Sequence, residues 1–266
     1  MLRSAKELEG YTVTASDGDI GTLKDVYFND ERWTVRYLIV DTAGFWQEAH
    51  QVLISPLAFQ NVEWATQRFH LLLTGDKVRN SPRAELDKPV SRQFEQKYFE
   101  YYNWPYYWGQ DGLWGNWSSP ENLALGSWSG FRDEGPEGDH HLRSVKEVVG
   151  YRIQGSDEEI GHVQDLIVDD RTWAIRYLVV DTTSWWSGKS VLLAPHWIDR
   201  ISWAENTVFL SLPRETIRNA PEWQPGSPVD RDYELRLYDF YGRPAYWLDE
   251  DKELQKNHTA QPGSKE

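Results

Sequence analysis

The chain has 266 residues, enough for one large domain or for two small ones that each bury a core. Its 42 acidic against 28 basic side chains leave a formal net charge of −14, which repels phosphate backbones and anionic headgroups and disfavours direct nucleic-acid binding. Cysteine is absent, which excludes disulfides, thiolate zinc sites and thiol nucleophiles, while 15 Trp and 14 Tyr stand against a single Met.

The opening MLRSAKELEGY lacks the apolar stretch of a signal peptide, and runs such as YLIV are too short to span a bilayer. The expectation is a soluble, cytoplasmic protein with no transmembrane segment. The sequons at Asn116 and Asn257 then read as chance.

In chain order, YTVTA alternates as a short strand, SDGD supplies a tight turn, and IGTLKDVYF forms a second strand. After another turn, RWTVRYLIVDT reads as the longest strand, with Trp33, Val35, Tyr37 and Ile39 on one face and Leu38 and Val40 on the other. Apolar residues on both faces require a cover. The segment opened by Ser91 supplies one, because Phe94, Tyr98, Phe99 and Tyr102 recur at helical spacing behind an N-cap residue. QVLISP and VEWAT…FHLLL complete about six strands.

The chain then repeats itself. LRSAKELEGYTVTASDGDIGTLKDVYFNDERWTVRYLIVDT from Leu2 aligns without a gap to LRSVKEVVGYRIQGSDEEIGHVQDLIVDDRTWAIRYLVVDT from Leu142, an offset of 140. After one deletion the offset is 139, and PVSRQFE matches PVDRDYE before YNWPYYW matches YGRPAYW. The division is therefore 1–108 for the first unit, 109–141 for a Gly/Ser/Trp-rich linker, 142–248 for the second unit and 249–266 for a disordered tail. Trp114, Trp117, Leu123, Leu125, Trp128 and Phe131 make that linker too apolar for a free tether, so part of it should lie against a barrel.

The order GDIGTLKDVYFNDERWTVRYLIVDT…VLISP, present twice, resembles the PRC-barrel family, which includes the barrels of the photosynthetic reaction centre H subunit and of a ribosome-maturation factor. The resemblance implies a mainly β protein of two tandem small barrels, each followed by short aromatic-rich helices and related by internal pseudo-two-fold symmetry. It also implies a role in docking another protein. The chain lacks the transmembrane helix of the one member and the preceding domain of the other, so neither role transfers directly.

Positions identical in both copies include Gly10 and Gly150, Asp17 and Asp157, Gly21 and Gly161, Asp25 and Asp165, Asp30 and Asp170, Trp33 and Trp173, Arg36 and Arg176, and Asp41 and Asp181. Turn chemistry accounts for the glycines and acids. Asp17, Asp19, Asp25 and Asp30 lack calcium-loop spacing and read as solvated turn acids, and Arg36 with Asp41 as a structural pair or rim contact. No histidine is retained by both copies, DHH at Asp139–His141 has nothing else at ligand spacing, and SGKS at Ser187 has Thr183 where a phosphate loop needs Gly. No catalytic residue, metal or cofactor is therefore expected, and the protein reads as a non-enzyme. The aromatic endings carry the interaction residues: Trp104, Tyr107, Trp108, Tyr246 and Trp247 should clip each unit's end onto a barrel, the partner unit's included. The alternative is a stacking platform for a sugar or planar ligand. The partner is expected to be another protein, and self-association is open.

Overall fold

The computed structural model describes residues 1–84, 90–110, 112–126, 141–182 and 188–248. The first unit runs β1 (Leu2–Ser4), β2 (Thr12–Ala15), β3 (Gly18–Asn29), β4 (Thr34–Asp41), β5 (Gln51–Ile54), β6 (Phe59–Glu63) and β7 (Arg68–Leu71), then helices α1 (Gly75–Arg79) and α2 (Arg92–Tyr102). A short helix α3 (Pro120–Ala124) lies in the connecting segment. The second unit runs β8 (Leu142–Ser144), α4 (Val145–Val148), β9 (Arg152–Gln154), β10 (Glu159–Asp169), β11 (Ile175–Asp181), β12 (Ser190–Leu193), β13 (Ile198–Ser202), β14 (Thr207–Leu210), α5 (Arg214–Asn219), β15 (Glu222–Trp223) and α6 (Arg231–Tyr241).

These strands form two separate sheets with matching order, β5-β4-β3-β2-β7-β6 in the first unit and β13-β14-β9-β10-β11-β12-β15 in the second. Among the described residues no helix is long and apolar enough to cross a membrane.

Every residue from Thr34 to Val40 in β4 is buried, because both faces are covered. The cover is α2, as its apolar spacing predicts. Ser91 Oγ accepts from the Phe94 N–H at 3.3 Å, and the Tyr98 ring meets Tyr37 edge-on at 5.3 Å. The longest strand is β3, with 12 residues against 8 in β4. The reading of β4 as the longer one fails at Trp33, which sits at φ 49° in the left-handed region and interrupts the strand before Thr34.

Gly21 and Gly161 are fixed by close approach of backbone to backbone. A Cβ on Gly21 would lie 2.4 Å from the Asp41 carbonyl oxygen, and one on Gly161 2.0 Å from that of Asp181.

The two units exchange their first strands. β1 pairs antiparallel with β10 of the second sheet, Leu2 opposite Asp169 and Ser4 opposite Ile167. β8 does the same on β3 of the first, Leu142 opposite Asn29 and Ser144 opposite Tyr27. Between these exchanges Thr34 bridges Ala174, its own counterpart in the repeat, as residues on a two-fold axis must. The Val35 N–H donates to the Trp173 carbonyl at 2.8 Å and the Ile175 N–H to that of Trp33 at 2.6 Å. The Trp173 side chain enters the first unit, its ring 5.1 Å from Phe59 and 6.1 Å from Phe69.

The repeated acids divide into two kinds. Asp17 and Asp157 do turn work, accepting from the N–H of Gly75 at 2.7 Å and of Arg214 at 2.8 Å, and Asp19 pairs with Arg68 at 2.8 Å. Asp25 and Asp30 are not solvated turn acids, because the exchanged strand lies over them. Asp25 accepts from Ser144 Oγ at 2.5 Å and from the Lys146 N–H at 3.3 Å, and Asp30 pairs with Arg143 at 2.8 Å. Their counterparts reciprocate: Asp165 accepts from Ser4 Oγ and from the Lys6 N–H at 3.1 Å, and Asp170 takes Arg3 at 3.3 Å. Burial pushes the carboxyls of Asp25 and Asp165 above the usual range, against these hydrogen bonds.

Part of the linker does lie against the fold, with Trp114 and Leu123 buried and Trp117 and Leu125 exposed. Trp128, Phe131, Asp139, His140, Ser187 and the tail after residue 248 lie outside the described residues.

Candidate functional site

Each aromatic ending closes over a buried polar cluster built from a β-strand and the covering helix. In the first unit β4 presents Arg36 and Tyr37, and α2 presents Arg92 and Glu95, all four buried. Glu95 Oε1 accepts from Tyr107 Oη at 2.6 Å and Tyr37 Oη at 3.0 Å, and Oε2 from Arg92 Nη1 at 2.8 Å. The Arg36 guanidinium lies 3.7 Å from the Tyr107 ring centre and 4.5 Å from that of Trp114. Trp114 in turn donates its indole N–H to the Thr172 carbonyl at 2.7 Å, tying the linker and the first unit to the second.

The second unit repeats the plan. Glu234 Oε1 accepts from Tyr177 Oη at 2.7 Å and Tyr246 Oη at 3.0 Å, while Oε2 pairs with Arg231 at 3.1 Å. Arg176 lies 4.0 Å from the Tyr246 ring and Arg231 3.8 Å from the Trp247 ring.

A buried charge is tolerated only when paired and hydrogen-bonded, so these shells are conditions for keeping the glutamates inside. Burial raises the carboxyls of Glu95 and Glu234, opposed chiefly by Arg92 in the first and by the Tyr177 hydroxyl in the second. Desolvation likewise lowers the Arg36 guanidinium to about 10.

The aromatic residues singled out in the sequence are the walls of these clusters. Tyr107 is buried and bonded to Glu95. Trp104 stacks on Tyr102 at 4.5 Å, Trp108 on Tyr106 at 4.4 Å, and Trp247 meets Tyr238 edge-on at 5.1 Å. Trp108 also meets Phe99 of α2 at 5.3 Å, so each ending is clipped onto its own unit's helix, and exchange between units is made instead by β1, β8 and Trp173. Arg36 does not pair with Asp41, whose carboxylate accepts from the Ala43 N–H at 2.9 Å at the strand end. The residues missed from sequence are Arg92, Glu95, Arg231 and Glu234. Their signal was present, because Arg and Glu hold the same places in PVSRQFE and PVDRDYE inside an otherwise apolar helix stripe.

A separate feature opens where the two units' N-terminal turns meet. A cavity of about 110 Å³ is floored by Ala5, Leu23, Val26, Val145 and Val149. Lys6, Lys24 and Lys146 stand around it with Glu9 and Asp25, and Lys146 pairs with Glu9 across the junction at 2.6 Å. Lys24 has no ion-pair partner among the described residues. The cavity lining contains no aromatic ring, so it is not a stacking platform.

No curated protein matches the chain. The family model for the PRC-barrel domain matches residues 2–66 and again 140–208, just over half of the chain. Both matches begin at or just before the exchanged strand and run through the two long strands and the turn between them, which carry the paired Asp, Trp and Arg positions. With two matching sheets and two family matches in register with the repeat, the chain belongs to the PRC-barrel domain family and carries two copies of the domain.

Proposed function

We propose that the protein is a non-catalytic interaction module that docks an acidic segment of another protein at the junction of its two units. The observation that carries this reading is the cavity there: an apolar floor suited to one or two aliphatic side chains, with Lys6, Lys24 and Lys146 against Glu9 and Asp25 at its rim, Lys146 paired with Glu9, and Lys24 without an ion-pair partner among the described residues, on a chain whose net charge is −14. A cationic excess beside an apolar floor is how an interface gains both orientation and burial. The buried glutamates, the paired aspartates and the aromatic endings have packing or hydrogen-bonding partners within the fold, whereas Lys24 at the cavity rim has no ion-pair partner among the described residues. A cytoplasmic setting fits this role, since charge-steered docking works at moderate salt and weakens as ionic strength rises.

The test is co-purification of the intact protein from its source cells, alongside folded variants Lys6→Glu/Lys24→Glu and Trp108→Ala/Trp247→Ala. A stoichiometric partner that is lost from the lysine variant, kept by the tryptophan variant and released by salt supports the reading. A partner that survives the lysine reversal, or is lost only with the tryptophans, refutes docking at the junction and places it on the aromatic endings.

A further inference from the structure

Three pairs of repeat counterparts line the cavity at the junction: Ala5 with Val145, Lys6 with Lys146, and Glu9 with Val149. The lining therefore straddles the pseudo-two-fold axis, and its two sides can be compared position by position.

The two lysines are held alike. The Lys6 N–H donates to Asp165 at 3.1 Å and the Lys146 N–H to Asp25 at 3.3 Å, and each aspartate also accepts from the serine of the exchanged strand, Ser4 or Ser144. What differs is the next carboxylate. Lys146 Nζ reaches across the junction to Glu9 at 2.6 Å, and the two-fold equivalent of that contact joins Lys6 to position 149, where valine stands. Lys6 has no ion-pair partner among the described residues, and neither has Lys24, whose counterpart is the uncharged Gln164. Val149 instead extends the apolar floor. An exposed ion pair by itself adds at most about fivefold to an equilibrium constant, so occupancy here calls for an apolar group on the floor as well as a charge at the rim.

Resting on the reading of this junction as a docking site, we propose that the docked segment presents one carboxylate to Lys6 and an adjoining branched aliphatic side chain to Val145 and Val149. The carboxylate takes at Lys6 the place that Glu9 takes at Lys146. The site is thus half-filled from within the chain, and a single substitution, Val149→Glu, fills the other half.

The probes are isocaproate, which joins a carboxylate to a leucine-sized chain, and its neutral amide, titrated at low salt into the whole chain and followed by methyl NMR of Ala5, Leu23, Val26 and Val145. Wild type should bind the carboxylate about threefold to fivefold more tightly than the amide, a preference that added salt removes. Lys6→Gln and Val149→Glu should each abolish the preference, while Val149→Gln, matched in size but uncharged, should keep it. Lys6 is exposed, so Lys6→Gln decides the matter should Val149→Glu fail to fold. Carboxylate and amide bound equally by wild type, or a preference that survives Lys6→Gln, overturns the proposal and leaves docking at the junction standing. A cavity that takes neither probe overturns the docking reading as well.

Discussion

Trp173→Ala should be the most damaging aromatic truncation at the junction, and its size can be worked out. Trp173 is 2 % exposed and its ring enters the first unit against Phe59 and Phe69. An indole of this kind buries up to about 250 Å², or about 6 kcal/mol as an upper bound at about 25 cal/mol per Å². Large-to-small truncations of buried aromatics cost about 3–5 kcal/mol in practice. Trp173 also sits at φ 59°, where any side chain is strained by about 1 kcal/mol or more and only glycine is relaxed. Trp173→Gly should therefore be the more stable of the two truncations, the reverse of the usual order. Trp33, at φ 49° but half-buried and stacked on Phe28 at 5.3 Å, should cost about half as much. The assay is urea unfolding followed by far-ultraviolet circular dichroism, with the three variants at matched concentration. A Trp173→Ala loss below about 1 kcal/mol, or a glycine variant weaker than the alanine one, refutes the reasoning.

Asp165→Ala removes the acceptor for Ser4 and for the Lys6 N–H, so β1 should lose its anchor at a cost of about 2–4 kcal/mol, read as faster amide exchange along Leu2–Ser4. Gly161→Ala forces a Cβ against the Asp181 carbonyl and should cost about 1–3 kcal/mol or more by parting β10 from β11, with a folded, fully stable variant as the contrary result. The carboxyls of Glu95 and Glu234 are raised in the folded state, so their contribution is greatest below about pH 4 and is lost as pH rises through the folded values. Glu95→Gln/Glu234→Gln should accordingly gain stability relative to wild type as pH rises from about 4 toward neutrality, in pH-resolved denaturant curves, and a difference of the opposite sign refutes the assignment.

Much of this architecture is legible in the residues themselves. The repeat places two units, the alternation of YTVTA gives β2, and Ser91 with its apolar spacing gives the helix over β4. The exchange is not legible, for a physical reason. LRS at Leu2 and LRS at Leu142 are the same three residues, so each would match either sheet, and the choice is made by chain geometry and by the tertiary fit of Ser4 and Ser144 to Asp165 and Asp25. The Arg–Glu–Tyr clusters escape for a related reason. Charged residues on a helix default to solvent, and it is Arg92 one turn away together with the tyrosine hydroxyls arriving from β4 and from the aromatic ending that makes it possible to bury Glu95. The aromatic endings themselves stand out in the sequence, but what they cover does not.

Neither unit's sheet is complete without the other's first strand. That dependence is tested most directly by producing residues 1–126 and 140–248 as separate chains and measuring their masses and stabilities by analytical ultracentrifugation and denaturant unfolding, alone and mixed. Strand exchange predicts a one-to-one complex on mixing, with each half alone self-associating or unfolding at much lower denaturant. Two halves that remain monomeric, unfold cooperatively at the stability of the intact protein and ignore one another would contradict it.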